Sequence, residues 1–309
     1  MLKRTKTRRG LATEYLATED TEHTEVKKGI LMKKKKGGFT LVELLVVIAV
    51  IALLMAILLP ALSKARTQAK RIICLSGLKQ LMTGWMAYAD NHDGRIVNGG
   101  QAPPANATEP FWCTGFPAPP DLPSWDWCWE AGMWTCTAVL TYEQRVEQLK
   151  RGALFRYCNN VKSYRCPEGA KDMHRTYIMP VTMNAWCGNC GYPTGAESKV
   201  IKRVGQIKKS AERVVFFEEK EITPDAFQFN YNPTPNADWA WRDDDHPNIM
   251  HGDGANFGFA DGHADFRKWE CVETLSWIRN KYPLPLPTYG QCNKDLKWMH
   301  NAIWGITPQ

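Results

Sequence analysis

The sequence predicts an α+β fold: one long N-terminal helix followed by a small, mostly antiparallel sheet domain. Three observations predict it. An apolar run from Phe39 to Leu59 continues into a segment of helical period, carrying one helix through residues 39–90. "RVVFFEEK" (213–220) has the length and the β-branched and aromatic content of a strand. "NFGFADGHADFRKW" sets two short runs about Asp261-Gly262, a strong hairpin signal, which places a C-terminal hairpin at 255–269.

Charge follows the same division. Residues 1–38 hold eleven Lys/Arg against five Asp/Glu, and residues 39–89 hold five bases against Glu43 alone. The remaining chain is net acidic, although the whole carries +7. Bases flanking an apolar run are a membrane-topology signal, and they argue against a nucleic-acid-binding face.

Within the run only Thr40 and Glu43 are polar, and Pro60 stands at its end. A helix of this length is about 30 Å long, enough to cross a bilayer. Lys33–Lys36 are expected to stay cytoplasmic, which puts the C-terminal part outside. The cysteines agree: nine of ten lie between Cys113 and Cys292, a density suited to an oxidising compartment. The run does not end in a small-residue cleavage site, so a processing signal would precede it.

"KKKKGGFTLVELLVVIAVIALLMAILLP" resembles the N-terminal signal of type IV pilins and type II secretion pseudopilins. The resemblance lies within about the first fifth of the chain. It implies cleavage between Gly38 and Phe39 by a prepilin peptidase, N-methylation of Phe39, and Glu43 at the fifth mature position. Pro60 falls where pilins often kink. A lone carboxylate in lipid is costly. Glu43 is therefore expected to neutralise the new amine of a neighbouring subunit and set register. The resemblance also implies a pilin-like fold and a single pass through the inner membrane. The N-terminus would be cytoplasmic, domain 91–309 periplasmic, and the processed chain part of a filament. Residues 1–38 form the leader, expected to be unstructured and removed, with Met32 as an alternative start.

Beyond Pro60, Leu75, Leu78, Met82 and Trp85 recur at helical spacing, a stripe for packing on the globular domain. Gly77 and Gly84 weaken the helix locally, and "DNHDGR" (90–95) ends it. Residues 98–136 form a Pro/Gly/Trp-rich loop insertion. Trp112, Trp125, Trp127, Trp129 and Trp134 are either its local core or a platform for sugars and partner proteins. Cys113, Cys128, Cys136, Cys158, Cys166, Cys187, Cys190, Cys271 and Cys292 are the disulfide candidates, and Cys74, on the helix, is expected to stay free. "AWCGNCG" (185–191) has thioredoxin-like spacing, but a loop follows it. A structural disulfide, or pairing of each cysteine with a distant one, suits it better, with a four-cysteine zinc site joining Cys187 and Cys190 to Cys158 and Cys166 as the alternative.

A helix is expected at 141–158, and "VKSYRCPEG" reads as a strand and turn. A two-residue turn at Asp261-Gly262 would pair Phe257 with Phe266 and Phe259 with Ala264. Phe257, Phe259, Ala264 and Phe266 would then share the core face, with Asn256, Gly258, His263, Asp265 and Arg267 on the other. "WRDDDHPNIMHGDG" gathers Asp243, Asp244, Asp245, His246, His251 and Asp253. Asp243, Asp245, His246, His251 and Asp253 form a candidate metal set: carboxylates suit Ca2+, and histidines suit Zn2+. An acidic solvated turn accounts for the same residues.

His251, nine residues, then Asp261-Gly262 and His263 resembles the H-X9-DG signature of a pseudopilin-like family expanded in Planctomycetes, Verrucomicrobia and Lentisphaerae. "AYADNHDGRIV" and "YRCPEG" are similar to that family too. Secretion-type pseudopilins often carry Ca2+ in a late loop, so Ca2+ is the cofactor the resemblance implies. The expected function is a structural pseudopilin, without catalysis, in a type II secretion or type IV pilus-like machine. Its expected partners are the prepilin peptidase, its own copies and other pseudopilins, the inner membrane and the assembly platform. The alternative is a tip subunit whose Trp-rich insertion captures polysaccharide or cargo. A membrane-tethered metal-dependent enzyme finds no G-x-S-x-G, P-loop or H-E-x-x-H motif in its favour.

Overall fold

The computed structural model describes residues 38–100, 111–113, 141–185, 199–219, 226–227, 247–280 and 293–305. The chain divides into two units after Leu54. Helix α1, Leu41–Asp90, runs through this division and contains Pro60 without ending there. In the first unit the apolar side chains of α1 are exposed, among them Leu44, Val47, Ile51 and Leu54. In the second unit burial begins at Cys74 and repeats at Leu78, Leu81, Met82, Trp85, Tyr88 and Ala89. That stripe follows the helical period. Leu75 is only half-buried, and Cys74 takes the inner position beside it.

Four antiparallel strands form the sheet in chain order: β1 Tyr177–Ile178, β2 Val214–Glu218, β3 Gly254–Phe259 and β4 Ala264–Lys268. Among the described residues, three further helices follow in the order α2 Tyr142–Arg151, α3 Val272–Arg279 and α4 Asn293–Trp304. The sheet is covered on both faces. Val215, Phe216 and Tyr177 pack with the inner stripe of α1. Val214, Phe217, Phe257 and Phe259 pack with Trp277 and Ile278 of α3 and Leu296, Met299 and Ile303 of α4. A register irregularity between Val214 and Phe216 places two successive residues, Val215 and Phe216, in the α1 layer.

Expectations for two segments are corrected and a third is extended. Helix α2 stops at Arg151, where Gly152 turns to an extended conformation (φ −63°, ψ 148°); a Cβ there would lie 2.5 Å from the Cys113 Cα and the Trp112 carbonyl oxygen, so the close approach needs glycine. "VKSY" (161–164) is a 3-10 turn, capped by Asn160 accepting the Lys162 N–H at 3.1 Å, and not a strand. Gly77 is a contact point as well as a weak helix former: a Cβ there would meet the Ser163 carbonyl oxygen at 3.2 Å.

The hairpin register is one residue off the expected one. Phe257 faces Asp265, Asn256 faces Phe266 and Gly258 faces Ala264. The Phe259 N–H donates to the His263 carbonyl, so Ala260, Asp261 and Gly262 make a three-residue loop. Gly262 has φ +94°, the left-handed residue such loops require. One extra loop residue exchanges faces along β4. Phe257 and Phe259 lie in the α3/α4 layer, while Phe266 sits under the Arg71 guanidinium of α1, 4.6 Å from its ring centroid. Asn256 and Gly258, expected on an outer polar face, are buried.

Candidate functional site

Among the described residues, two places concentrate polar chemistry. The first is the start of α1. The Thr40 hydroxyl oxygen accepts the Glu43 N–H at 3.2 Å, and Glu43 Oε2 accepts both the Thr40 N–H and its hydroxyl at 2.8 Å. This reciprocal pair is a capping box, formed because "TLVE" places Thr and Glu three residues apart at a helix entry. It holds the carboxylate at the positive end of the helix dipole. Phe39 beside it is 71% exposed. Helix α1 is long and apolar enough to cross a membrane.

The second place is buried under the sheet. Cys74 comes from α1, Cys166 from the turn after the 3-10 segment, Glu218 from the end of β2, and His251 from the turn before β3. Their ligand atoms all lie within 4.8 Å of one another, and all four residues are buried. The Cys74 Sγ is 2.7 Å from the Cys166 Sγ. His251 Nε2 is 3.2 Å from the Cys166 Sγ and 2.9 Å from Glu218 Oε1.

Neighbouring groups fix each member of this cluster. Glu218 Oε2 accepts the Asn256 N–H at 2.9 Å, and Oε1 accepts its side-chain amide at 3.0 Å. The Glu168 N–H donates to the Cys166 Sγ at 3.4 Å, and the Cys166 N–H donates to the Thr176 hydroxyl at 2.6 Å. The Tyr177 hydroxyl donates to the Cys74 carbonyl at 3.1 Å. Glu168 Oε2 lies 3.3 Å from His251 Nδ1, and its other oxygen lies 3.4 Å from Lys70.

The electrostatics are mutual. The bond from Cys74 and then the His251 imidazole pull the Cys166 thiol down to about 7 against burial. Cys74 is pushed up, first by that bond and then by burial. Burial favours neutral His251, but its bonds with Cys166 and Glu218 win and raise it to about 10.

The family of the prokaryotic N-terminal methylation motif matches residues 33–59. This chain is pilin-like. The motif implies processing by a prepilin peptidase and assembly with other pilin-like subunits. Neither the curated proteins nor the solved structures yield a match.

Several expected site residues of the pilin-like chain fall in different places. Asp243, Asp245 and His246 lie outside the described residues. His251 belongs to the buried cluster, whereas Asp253 pairs with Arg279 at 2.5 Å. His251 and Asp261-Gly262 flank β3 at its two ends, roughly 20 Å apart along the strand. His263 Nδ1 pairs with Asp261 at 2.5 Å and its ring stacks on Phe259, so it stays at the hairpin tip.

Among the described cysteines, three of the disulfide candidates depart from expectation. Cys113, Cys158 and Cys166 carry free thiols, as does Cys74. Burial pushes Cys113 up to about 12, and Cys158 packs against Gly84 of α1. Cys271 is disulfide-bonded, as expected of a candidate. Cys128, Cys136, Cys187, Cys190 and Cys292 lie outside the described residues, as do Trp125, Trp127, Trp129 and Trp134. Trp112 is fully buried, stacked on Tyr164 and edge-on to Phe216. It is core and takes no part in an exposed platform. Sequence reasoning missed Glu218 and Cys74 as partners of His251. The only signal was an acid closing an otherwise apolar strand and a cysteine on the inner helix stripe.

Proposed function

We propose that this pilin-like chain is a non-catalytic filament subunit of a type II secretion or type IV pilus-like machine. A prepilin peptidase cuts between Gly38 and Phe39 on the cytoplasmic side and methylates the new amine. Domain 91–309 lies on the far side of the inner membrane. The observation that carries this reading is the methylation motif at residues 33–59, with Glu43 held at the tip of an exposed apolar helix.

The capping box adds to the role of Glu43. Before assembly its carboxylate is satisfied by Thr40. In the filament it exchanges part of that contact for the methylated Phe39 amine of a neighbour, where both partners are charged and the bond is stronger than one with the neutral Thr40 donors. Glutamine preserves a capping box but not the charge.

Two measurements test this. Mass spectrometry of the mature chain should find methyl-Phe39 at the N-terminus, and an intact start at Met1 or Met32 would sink the proposal. Both Glu43→Gln and Glu43→Val should be cleaved and fail to enter filaments. Normal assembly of Glu43→Gln would reduce Glu43 to a helix cap. Normal filament assembly accompanied by polysaccharide capture would favour the tip-subunit alternative.

A further inference from the structure

We propose that Cys74, Cys166, Glu218 and His251 form a structural site for a thiophilic divalent transition-metal ion of the Zn2+ class. The site stands apart from filament function and would exist in an unassembled subunit.

Donor chemistry selects the ion. Two thiolates, one imidazole and one carboxylate make the mixed sulfur, nitrogen and oxygen set that Zn2+ takes in tetrahedral sites. Hard Ca2+ and Mg2+ prefer oxygen ligands only. Four buried donors leave no open coordination position, which marks a structural site and not a catalytic one.

Geometry converges on one point. His251 Nε2 faces both the Cys166 Sγ at 3.2 Å and Glu218 Oε1 at 2.9 Å. A single Nε2 proton cannot be well aligned to both, whereas a cation between them contacts both at once. With metal–sulfur bonds of about 2.3 Å and metal–nitrogen bonds of about 2.0 Å, tetrahedral neighbours stand roughly 3.3–3.8 Å apart. The imidazole, Cys166 and Glu218 are already near that spacing. The two sulfurs, 2.7 Å apart, must part by about 1 Å.

The surroundings are those of metal ligands. Glu168 has a carboxylate oxygen 3.3 Å from His251 Nδ1, within ion-pair distance though not aligned as a hydrogen bond, so a small turn would make it the outer carboxylate that orients a metal-bound histidine. Its backbone N–H points at the Cys166 Sγ from two residues away and favours the thiolate. On binding, the cation takes the place of the protons that otherwise hold these groups together, and those protons leave to solvent.

The test uses the full chain purified in detergent. Elemental analysis should find about one equivalent of Zn2+, and Co2+ loading should give thiolate-to-cobalt absorption in the near ultraviolet. Cys166→Ser and His251→Gln should each lower Co2+ affinity more than a hundredfold. Glu168→Gln should lower it about 10–100-fold, and Cys113→Ser should leave it unchanged. A Cys74–Cys166 disulfide in non-reducing peptide maps overturns the proposal. Wild-type protein with both thiols alkylatable and no cobalt–thiolate band also overturns it, whether or not the variants fold. So does full Co2+ affinity in Cys166→Ser and His251→Gln.

Discussion

Glu218 on β2 and Asn256 on β3 are joined twice, by the Asn256 backbone N–H and by its side-chain amide. Both residues are wholly buried. Removing the carboxylate leaves these donors and His251 without their acceptor. Glu218→Ala should therefore destabilise the domain by about 3–5 kcal/mol. Urea unfolding of the detergent-solubilised chain measures this, and a loss below about 1 kcal/mol would contradict the assigned role.

Asp295 on α4 should behave as a remote cap. Its carboxylate accepts the N–H groups of Glu270 and Cys271 at 3.0–3.1 Å, at the start of α3. The residue before α3, Cys271, supplies no side-chain cap of its own. Asp295→Ala should cost about 2 kcal/mol, at the upper end for lost caps. Hydrogen exchange should show the first turn of α3 opening before the sheet does.

Acid should act through His174. Burial, then Arg175 and Arg145, hold it down to about 3, well under its usual 6.5. The folded state thus binds fewer protons than the unfolded state. The stability this provides is complete above about pH 6.5 and is lost as pH falls toward 3, at roughly 1.4 kcal/mol per unit. In His174→Gln the slope of stability against pH over that window should be shallower. An unchanged slope would mean that His174 is not the responsible group.

Two glycines offer a contrast. A Cβ on Gly152 would press on the backbone of Trp112 and Cys113 at 2.5 Å, and backbone cannot turn aside. At Gly205 a Cβ meets nothing within 4 Å. Gly152→Ala should lower stability by about 3 kcal/mol or more, and Gly205→Ala should stay within about 0.5 kcal/mol. Thermal melts of the two variants compare them directly.

The long helix, strand β2 and the hairpin were legible because each rests on local pattern: an apolar run, a β-branched cluster, a Gly in the turn. The hairpin register was not. It depends on whether Ala260 belongs to the strand or to the loop, and Asp-Gly occurs in both loop lengths. Helices α3 and α4 were missed because they are short and lean on tertiary contacts, such as Asp295 capping α3. The N-terminal site was readable because all its residues sit within one helical turn. The buried cluster was not, since Cys74 and Cys166 are 92 positions apart and Cys166 and His251 another 85.

That separation has a consequence for biogenesis. Closing the cluster requires the helix stem, the Cys166 turn, β2 and the approach to β3 to be present together. Most of the chain must be synthesised before its last member, His251, arrives, and contacts so distant in sequence form late. A truncated or stalled chain would leave Cys166 and Cys74 uncovered. Thiol accessibility at these two positions thus becomes a gauge of completed subunits, one by which immature chains can be told from finished ones before any of them meets a filament.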